Sequence, residues 1–248
     1  MDEIQTVTTE DIEFLRHGDK PLRLRLIKPA GSGPYPIVLD VHGGAWCGGN
    51  IESCCARNTY LANAGIAAAA VEFRQGPDKY PSSLQDINYA IRWLKAHAAD
   101  LGLDAANVGL SGNSSGGHLA MLSAMRPGDP RYTAIPLDAP VDAQVKCIGV
   151  TAPVINPLSR YRNAIKNRDA PNPPEWSLRL PASHDIYWVT EENMSEASPL
   201  LMLERGEKVV MPPALYIQRT PDEVHDYRDP KPDRDIDVNE PERFVQNY

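Results

Sequence analysis

The sequence predicts an α/β fold whose sheet is largely parallel. Apolar runs that are too short for buried helices alternate along the chain with amphipathic stretches. This alternation is typical of strands connected by crossover helices, because one parallel strand can follow another only after a long return connection. The 248 residues, of which 42% are hydrophobic and 23% charged, suit one domain with a continuous core, so 1–248 is expected to be a single domain.

The first half of the chain predicts an antiparallel hairpin followed by alternating strands and helices. Two apolar runs, 12–15 and 22–27, flank the turn His17-Gly18-Asp19-Lys20 and are expected to pair at the edge of the sheet. The elements expected next are a strand at 37–41, a helix from Asn50 to Asn63 that Gly65 ends, and a buried strand at 66–73.

The clearest helical pattern begins after Pro81. Ser82 and Gln85 have the spacing of a capping box, and Gly102 is expected to end this helical region. Apolar residues recur along one face, which is expected to pack on the sheet: Leu84, Ile87, Ile91 and Leu94.

The second half of the chain predicts three more strands. A strand at 108–111 leads directly into a helix at 116–126, which Pro127-Gly128 ends. Two further strands are expected at 145–152 and 214–218.

The segment between the last two predicted strands is longer than a single crossover helix requires. Residues 156–198 are therefore interpreted as a cap inserted in the domain. Four aromatic side chains of this cap either line an acyl pocket or anchor the cap on the core: Tyr161, Trp176, Tyr187 and Trp188. Residues 221–248 are rich in proline and acidic side chains, and are expected to bury little and to be loop until a helix begins at Pro241.

The charge and composition exclude several classes of function. A formal net charge of −8 makes a nucleic acid an unsuitable partner, because nucleic-acid binding depends on clustered Lys and Arg. No apolar stretch approaches the roughly 20 residues of a membrane helix, and the N-terminus lacks a secretory pattern. The four cysteines have no zinc-site spacing and are expected to be reduced. We therefore expect a cytoplasmic protein that acts on a small molecule.

One glycine-rich motif predicts a nucleophile. The segment Gly112-Asn113-Ser114-Ser115-Gly116 matches the pattern Gly-x-Ser-x-Gly and lies between a predicted strand and a predicted helix. Small neighbours permit a sharp strand-to-helix turn that presents the serine hydroxyl. Ser114 is therefore the predicted nucleophile.

A second motif, His42-Gly43-Gly44-Ala45-Trp46, directly follows the strand predicted at 37–41. Adjacent glycines let the main chain approach a substrate closely, so that N–H groups stabilise the oxyanion formed when an acyl carbon is attacked. Gly43 and Gly44 are expected to supply two donors, and Ser115 a third from a helix N-terminus. His42 is interpreted as a structural residue of this loop.

On these motifs the chain resembles the α/β-hydrolase superfamily, in its esterase and lipase branch with a His-Gly-Gly oxyanion loop. It is similar to hormone-sensitive-lipase-like and feruloyl-esterase-like carboxylesterases from about Pro34 to Tyr248. The segments Pro81 to Asp86 and Gly112 to Leu119 are typical of that branch. The resemblance implies a three-layer α/β-hydrolase fold and hydrolysis of small carboxylic esters through an acyl-serine intermediate.

The resemblance also implies catalytic residues in the order Ser, Asp, His. The acid just past the penultimate strand corresponds to Asp222. The histidine base that the family carries after a final strand has no counterpart, and His225 and His184 are the substitute bases that the sequence offers. We therefore expect a chain truncated before the last strand and helix, folded in its core but inactive or nearly so. Its uncovered sheet edge is expected to favour self-association.

Two other functions stay open from the sequence. The pattern His-Gly-Gly-x-Trp also resembles kynurenine formamidases, which leaves an amide as the alternative substrate. The missing histidine also leaves open a non-catalytic ligand-binding function, because plant gibberellin receptors resemble the same branch and have lost that residue. No metal-ligand cluster or dinucleotide-binding motif occurs in the sequence, so no metal or cofactor is predicted.

Overall fold

The computed structural model describes residues 6–232 and 236–248, which form one seven-stranded sheet with helices packed against it. The order across the sheet is β1-β2-β4-β3-β5-β6-β7, with β1–β2 and β2–β4 antiparallel and the other pairs parallel. The strands are β1 (Val7–His17), β2 (Lys20–Pro29), β3 (Tyr35–Val41), β4 (Ala67–Val71), β5 (Leu103–Asn113), β6 (Ile148–Thr151) and β7 (Ala214–Ile217). The predicted, mostly parallel α/β sheet is confirmed.

The N-terminal hairpin lies at one edge of the sheet, as predicted. Its pairing runs from Val7 opposite Pro29 to His17 opposite Lys20. Gly18 in the connecting turn has a φ of 58°, a value that favours glycine.

The central strands place two glycine-rich segments side by side. β4 consists of four alanines and a valine, all buried, and such an uninterrupted apolar run is typical of a strand covered on both faces. β3 pairs in parallel with β5, and Val41 lies opposite Gly112. Because parallel strands end at the same edge of a sheet, the loop after Val41 adjoins the turn after Asn113.

The helices connect these strands or lie in the long insertion. Within the described residues they are α1 (Cys55–Asn63), α2 (Ser82–Ala96), α3 (Ala98–Leu101), α4 (Ser115–Met125), α5 (Pro157–Arg168), α6 (Glu175–Trp188), α7 (Glu191–Glu196), α8 (Pro199–Glu204) and α9 (Glu240–Asn247). Short 3₁₀ turns occur at Ile51–Cys54 and Gly76–Asp78. The helix predicted from Asn50 thus begins as a 3₁₀ turn before it becomes α1.

Helix α2 buries the predicted apolar face but does not have the predicted capping box. The residues of that face are at most 1% exposed: Leu84, Ile87, Ile91 and Leu94. Pro81, not Ser82, occupies the N-cap position, and the Ser82 hydroxyl is buried without a hydrogen-bond partner. The capping-box prediction is wrong because Ser82 is already the first residue of the helix and not its cap. Gly102 is left-handed after α3, as predicted for a helix end.

The C-terminal segment after β7 buries more than its composition predicts. α9 begins at Glu240, one residue before the predicted start, and Phe244 is 1% exposed against the ring of Tyr216. Arg243 donates to Glu204 at 2.7 Å and to Glu240 at 2.9 Å. The expectation that this segment buries little is wrong, because ion pairs with arginine let its acidic side chains pack against the domain.

The described residues were compared with the patterns of membrane helices, metal sites and disulfides. Among 6–232 and 236–248, no helix is long and apolar enough to cross a membrane. The same ranges contain no group of three or more His, Cys, Asp or Glu arranged to hold a metal ion. All four cysteines are free thiols.

Candidate active site

Ser114 lies at the sharp turn between β5 and α4. Its φ of 52° is unusual for a residue with a side chain and marks a strained turn. A Cβ on Gly112 would lie 2.5 Å from the carbonyl oxygen of Gly116. A Cβ on Gly116 would lie 2.2 Å from the carbonyl oxygen of Val41. Glycine at these two positions therefore lets the strand turn into the helix and leaves Ser114 at the apex.

Replacement of Gly116 is expected to distort this turn. The methyl group of Gly116→Ala would collide with the backbone oxygens of Val41 and His42, at 2.2 Å and 2.4 Å. We expect the free energy of unfolding to fall by about 3 kcal/mol or more, as measured by urea denaturation. Gly149→Ala is the control, because a Cβ there meets nothing within 4 Å. Equal losses in the two variants would contradict this role for Gly116.

Three side chains form a hydrogen-bonded series at this turn. The Ser114 hydroxyl lies 2.9 Å from Nε2 of His225. Nδ1 of His225 lies 3.1 Å and 3.0 Å from the two carboxylate oxygens of Asp222. The imidazole is thus held between a hydroxyl and a carboxylate, and Nε2 can accept the serine proton when Nδ1 carries the other hydrogen.

A compact turn brings His225 and Asp222 together although they are only three residues apart. The N–H groups of Val224 and His225 donate to Oδ1 of Asp222 at 3.1 Å and 3.2 Å. The N–H of Asp226 donates to the Asp222 carbonyl oxygen at 2.7 Å. Of the two substitute bases that the sequence offers, His225 is therefore the one that the structure brings to Ser114. The signal in the sequence was the spacing Asp-x-x-His, which puts both side chains on one turn.

The surroundings of His225 keep its imidazole neutral. Its side chain is 14% exposed and that of Asp222 is 8% exposed. Burial and the positive charges of Arg160 and Arg219 lower the pKa of His225 to about 4, although the Asp222 carboxylate opposes them. A neutral imidazole is the form that accepts a proton, so His225 has the protonation state of a base at neutral pH.

His184, the other substitute base, is not brought to the nucleophile. It is fully buried, and its Nδ1 lies 2.8 Å from the Leu180 carbonyl oxygen of its own helix. Its ring packs edge-on against Trp46, with centroids 5.0 Å apart. Burial lowers the pKa of His184 well below its usual value. His184 is therefore a neutral packing residue.

The glycine loop after β3 adjoins Ser114. A Cβ on Gly43 would lie 3.3 Å from the Ser114 Cβ, so the absence of a side chain permits this approach. The Gly43 N–H donates to Oδ1 of Asn113 at 3.2 Å, a contact that the sequence did not predict. The N–H groups of Gly44 and Ser115 are not bonded to another group of the described residues.

Trp46 fixes the shape of this loop. Its indole N–H donates to Nδ1 of His118 at 3.2 Å, and its side chain is 1% exposed. The rings of Tyr187 and Trp188, at the end of α6, pack on it with centroid distances of 6.0 Å and 5.1 Å. These two aromatic residues therefore fix the end of α6 on the loop, and Trp46 is packed away from solvent.

His42 has the structural role expected of it. Its ring stacks on Phe73 with centroids 4.4 Å apart, and its Nδ1 lies 2.9 Å from the Gly43 carbonyl oxygen. Burial lowers the pKa of His42, which keeps it uncharged. It thereby supports the start of the glycine loop.

Comparison with known proteins gives the same fold. A thermophilic esterase of Thermogutta terrifontis, Est2 with propionate bound, has 25% sequence identity and a TM-score of 0.63, over 84% of this chain and 70% of that one. A mutant form of the esterase rPPE has a TM-score of 0.71 at 18% identity, over 100% of this chain and 70% of that one. These likenesses identify the α/β-hydrolase fold.

Curated relatives and a family model cover the part of the chain that carries the two glycine motifs. The probable carboxylic ester hydrolase LipM of Mycobacterium tuberculosis is 34% identical over 103 residues, 41% of this chain and 24% of that protein. The arylesterase of Saccharolobus solfataricus is 31% identical over 113 residues, 45% of this chain and 37% of that protein. The chain thus spans well under half the length of these relatives. The BD-FAE family model matches residues 25–154, just over half of the chain. The chain belongs to the BD-FAE family.

Proposed function

We propose that this chain is a serine hydrolase that cleaves small carboxylic esters through an acyl-Ser114 intermediate. The observation that carries the proposal is the series from Ser114 Oγ to His225 Nε2, at 2.9 Å, and from His225 Nδ1 to Asp222, at 3.0 Å. A serine hydroxyl is a weak nucleophile until a base accepts its proton, and this series supplies an oriented base. Similarity to proteins named as esterases supports the same reaction.

Acylation uses the groups around the turn. His225 Nε2 accepts the Ser114 proton while Ser114 Oγ bonds to the ester carbonyl carbon. The carbonyl π electrons move to the oxygen, and the N–H groups of Gly44 and Ser115 stabilise the resulting oxyanion. The Gly43 N–H becomes a third donor to the oxyanion when it no longer donates to Oδ1 of Asn113. Each such donor typically contributes about 10²–10³ in rate.

The remaining steps complete acylation and then remove the acyl group, so that every group returns to its starting state. The oxyanion collapses, the bond from the acyl carbon to the alcohol oxygen breaks, and the alcohol leaves with the proton from His225. His225 then takes a proton from water as the water oxygen attacks the acyl carbon, and collapse returns that proton to Ser114 Oγ. Asp222 stabilises the imidazolium in both steps. The products are an alcohol and a carboxylic acid.

We further propose that residues 156–198 act as a cap of the site within one domain, 1–248. The packing of α5 against α6 and α7 supports a continuous unit. Tyr187 and Trp188 are fully buried and suit an anchoring role, whereas Tyr161 and Trp176 are partly exposed and suit contact with an acyl group.

Neither alternative function has an observation that favours it. The amide alternative depended on Trp46, which is packed among aromatic rings and is 1% exposed, so it is not positioned to select a substrate. The non-catalytic alternative depended on a missing histidine, and His225 lies 2.9 Å from Ser114. A specificity constant for N-formylkynurenine above that for simple esters would favour the amide reaction.

Two secondary proposals concern the surroundings of the protein. The four free thiols support a reducing compartment such as the cytoplasm. At β7 the sheet ends within the described residues, and Leu215 and Ile217 are 62% and 48% exposed. An exposed apolar edge strand recruits other strands, which supports self-association through β7.

The proposed function is tested with p-nitrophenyl acetate. The sequence led us to expect a chain that is inactive or nearly so. Because His225 Nε2 lies 2.9 Å from the Ser114 hydroxyl, we instead expect the folded 248-residue chain to hydrolyse this ester with saturable kinetics. Release of p-nitrophenol is followed by absorbance, and circular dichroism verifies folding. A folded chain whose rate equals that of buffer would contradict the proposal.

A further inference from the structure

The turn of residues 222–226, which we call the base turn, is closed by its own hydrogen bonds. The N–H groups of Val224 and His225 donate to Oδ1 of Asp222. The N–H of Asp226 donates to the Asp222 carbonyl oxygen. These bonds fix the shape of the turn and keep the imidazole beside the carboxylate. The position of the turn relative to the nucleophile depends on contacts with other elements.

Asn239, the N-cap residue of α9, contacts the base turn. Its side-chain nitrogen Nδ2 donates to Oδ1 of Asp226 at 2.5 Å, and Asp226 directly follows His225 in the chain. Its side-chain oxygen Oδ1 accepts from the N–H of Glu242 at 2.9 Å and so caps the helix. An ionised carboxylate only accepts and a backbone N–H only donates, so these two partners fix the orientation of the carboxamide. One atom of this side chain thus caps α9 while the other holds the residue next to the proposed base.

Helix α9 is held to the domain by contacts that do not involve the base turn. Nε of Arg243 donates to Oε1 of Glu204, on α8, at 2.7 Å. The ring of Phe244 packs on that of Tyr216, on β7, with centroids 5.8 Å apart. Asn239 therefore attaches the base turn to a helix whose position is fixed by α8 and the sheet.

The start of α9 also contacts the residue that follows the base turn. The backbone N–H of Glu240 donates to the Tyr227 carbonyl oxygen at 2.8 Å. The Glu240 carboxylate accepts from the Ser159 hydroxyl of α5 at 2.6 Å, and that hydroxyl lies 3.2 Å from the Tyr227 hydroxyl. The chain is therefore held at two successive residues after His225, and the contact nearer to the imidazole is made by the side chain of Asn239.

We infer that Asn239 is a positioning residue of the proposed reaction, whose side-chain nitrogen holds Asp226 and thereby keeps His225 at hydrogen-bonding distance from Ser114. The inference rests on the proposed function and adds a residue outside the nucleophile, base, acid and oxyanion donors. A misplacement of about 1 Å between reacting groups can cost about 10² in rate, so a contact one residue from the base is close enough to affect turnover. Helix capping alone requires only the side-chain oxygen, which aspartate or serine supplies equally well.

The test separates the two atoms of the Asn239 side chain. Asn239→Asp keeps an oxygen that caps α9 but replaces the donor to Asp226 by a second carboxylate. We expect kcat for p-nitrophenyl acetate to fall by about tenfold while KM changes by less than about threefold, because the loss concerns the placement of the base. Asn107→Asp is the matched control, since Nδ2 of Asn107 donates to Asp104 at 2.7 Å in the first half of β5. This control is expected to retain the wild-type kcat.

A double variant tests the pair itself. Combining Asn239→Asp with Asp226→Asn exchanges donor and acceptor, keeps the shapes and the net charge of the pair, and leaves an aspartate to cap α9. We expect kcat to return to within about threefold of the wild type, because the hydrogen bond forms again in the opposite direction. A wild-type kcat in Asn239→Asp alone, or no recovery in the double variant, would overturn the inference.

Hydrogen exchange provides a readout that needs no turnover. The backbone N–H groups of Val224, His225 and Asp226 are followed by NMR, and we expect them to exchange about tenfold faster in Asn239→Asp and at the wild-type rate in the double variant. Equal exchange in the wild type and Asn239→Asp would overturn the inference. If Asn239→Asp does not fold, Asn239→Ser takes its place, because serine caps a helix without an amide nitrogen, and wild-type exchange in that variant would likewise overturn the inference. A wild type that hydrolyses no ester would refute the proposed function, whereas the exchange rates decide the role of Asn239 separately.

Discussion

Ser114→Ala is expected to lower kcat/KM for p-nitrophenyl acetate by about 10⁴-fold or more. The substitution removes the oxygen that bonds to the acyl carbon, and no acyl intermediate can then form at this position. Oxyanion donors and substrate binding would remain, which accounts for a residual rate above that of buffer. The measurement is the initial rate of p-nitrophenol release, corrected for the uncatalysed reaction.

The control for this variant is Ser123→Ala. Ser123 lies on α4, the helix that follows Ser114, is 2% exposed, and has a hydroxyl without a hydrogen-bond partner. Its loss should leave kcat/KM within about threefold, because one unpaired buried hydroxyl contributes little. Full activity in Ser114→Ala would assign the reaction to another residue.

His225→Ala is expected to reduce kcat by a similar factor, about 10⁴-fold or more. Without the imidazole, the Ser114 hydroxyl keeps its proton and the leaving alcohol receives none. The loss should appear mainly in kcat. His225 Nε2 lies 2.9 Å from the Ser114 hydroxyl, and its role is to accept and donate protons during the reaction. Steady-state kinetics at pH 7, with folding verified by circular dichroism, measure it.

His184→Gln is the matched comparison. His184 is buried against Trp46 and bonds to its own helix, so its replacement should change the thermal midpoint more than kcat. A larger loss of kcat in His184→Gln than in His225→Ala would reverse the assignment of the base.

The sequence was sufficient for the sheet and the nucleophile turn because their signals are local. Gly112 and Gly116 mark the turn at Ser114, since each is closely approached by backbone atoms that exclude a side chain. The hairpin likewise follows from two apolar runs and the glycine between them.

The sequence named His225 and His184 as substitute bases but did not decide between them. The separation of three residues between Asp222 and His225 differs from the spacing that the family resemblance implies, and only the turn that caps the Asp222 carboxylate brings the imidazole to Ser114. The Asn113 contact with Gly43 joins residues 70 positions apart and has no local signal.

The amino-acid composition also did not predict which charged side chains are buried. Arg160 and Arg243 both occur in segments with polar neighbours, and their burial depends on partners far along the chain. Arg243 is stabilised by Glu204, 39 positions away, whereas Arg160 faces the ring of Trp46. Polar surroundings in the sequence favour solvated side chains at such positions, and the packing of distant elements decides otherwise.

The central claim is that Ser114, His225 and Asp222 act as one unit, and covalent labelling by a fluorophosphonate tests it most directly. At pH 7 the account predicts one adduct per chain by intact mass, located on the peptide that contains Ser114. Ser114→Ala should give no adduct, and His225→Ala should slow labelling by about 10³-fold or more, because the probe reacts with an activated serine. An adduct on another residue, or an equal labelling rate in wild type and His225→Ala, would contradict the claim.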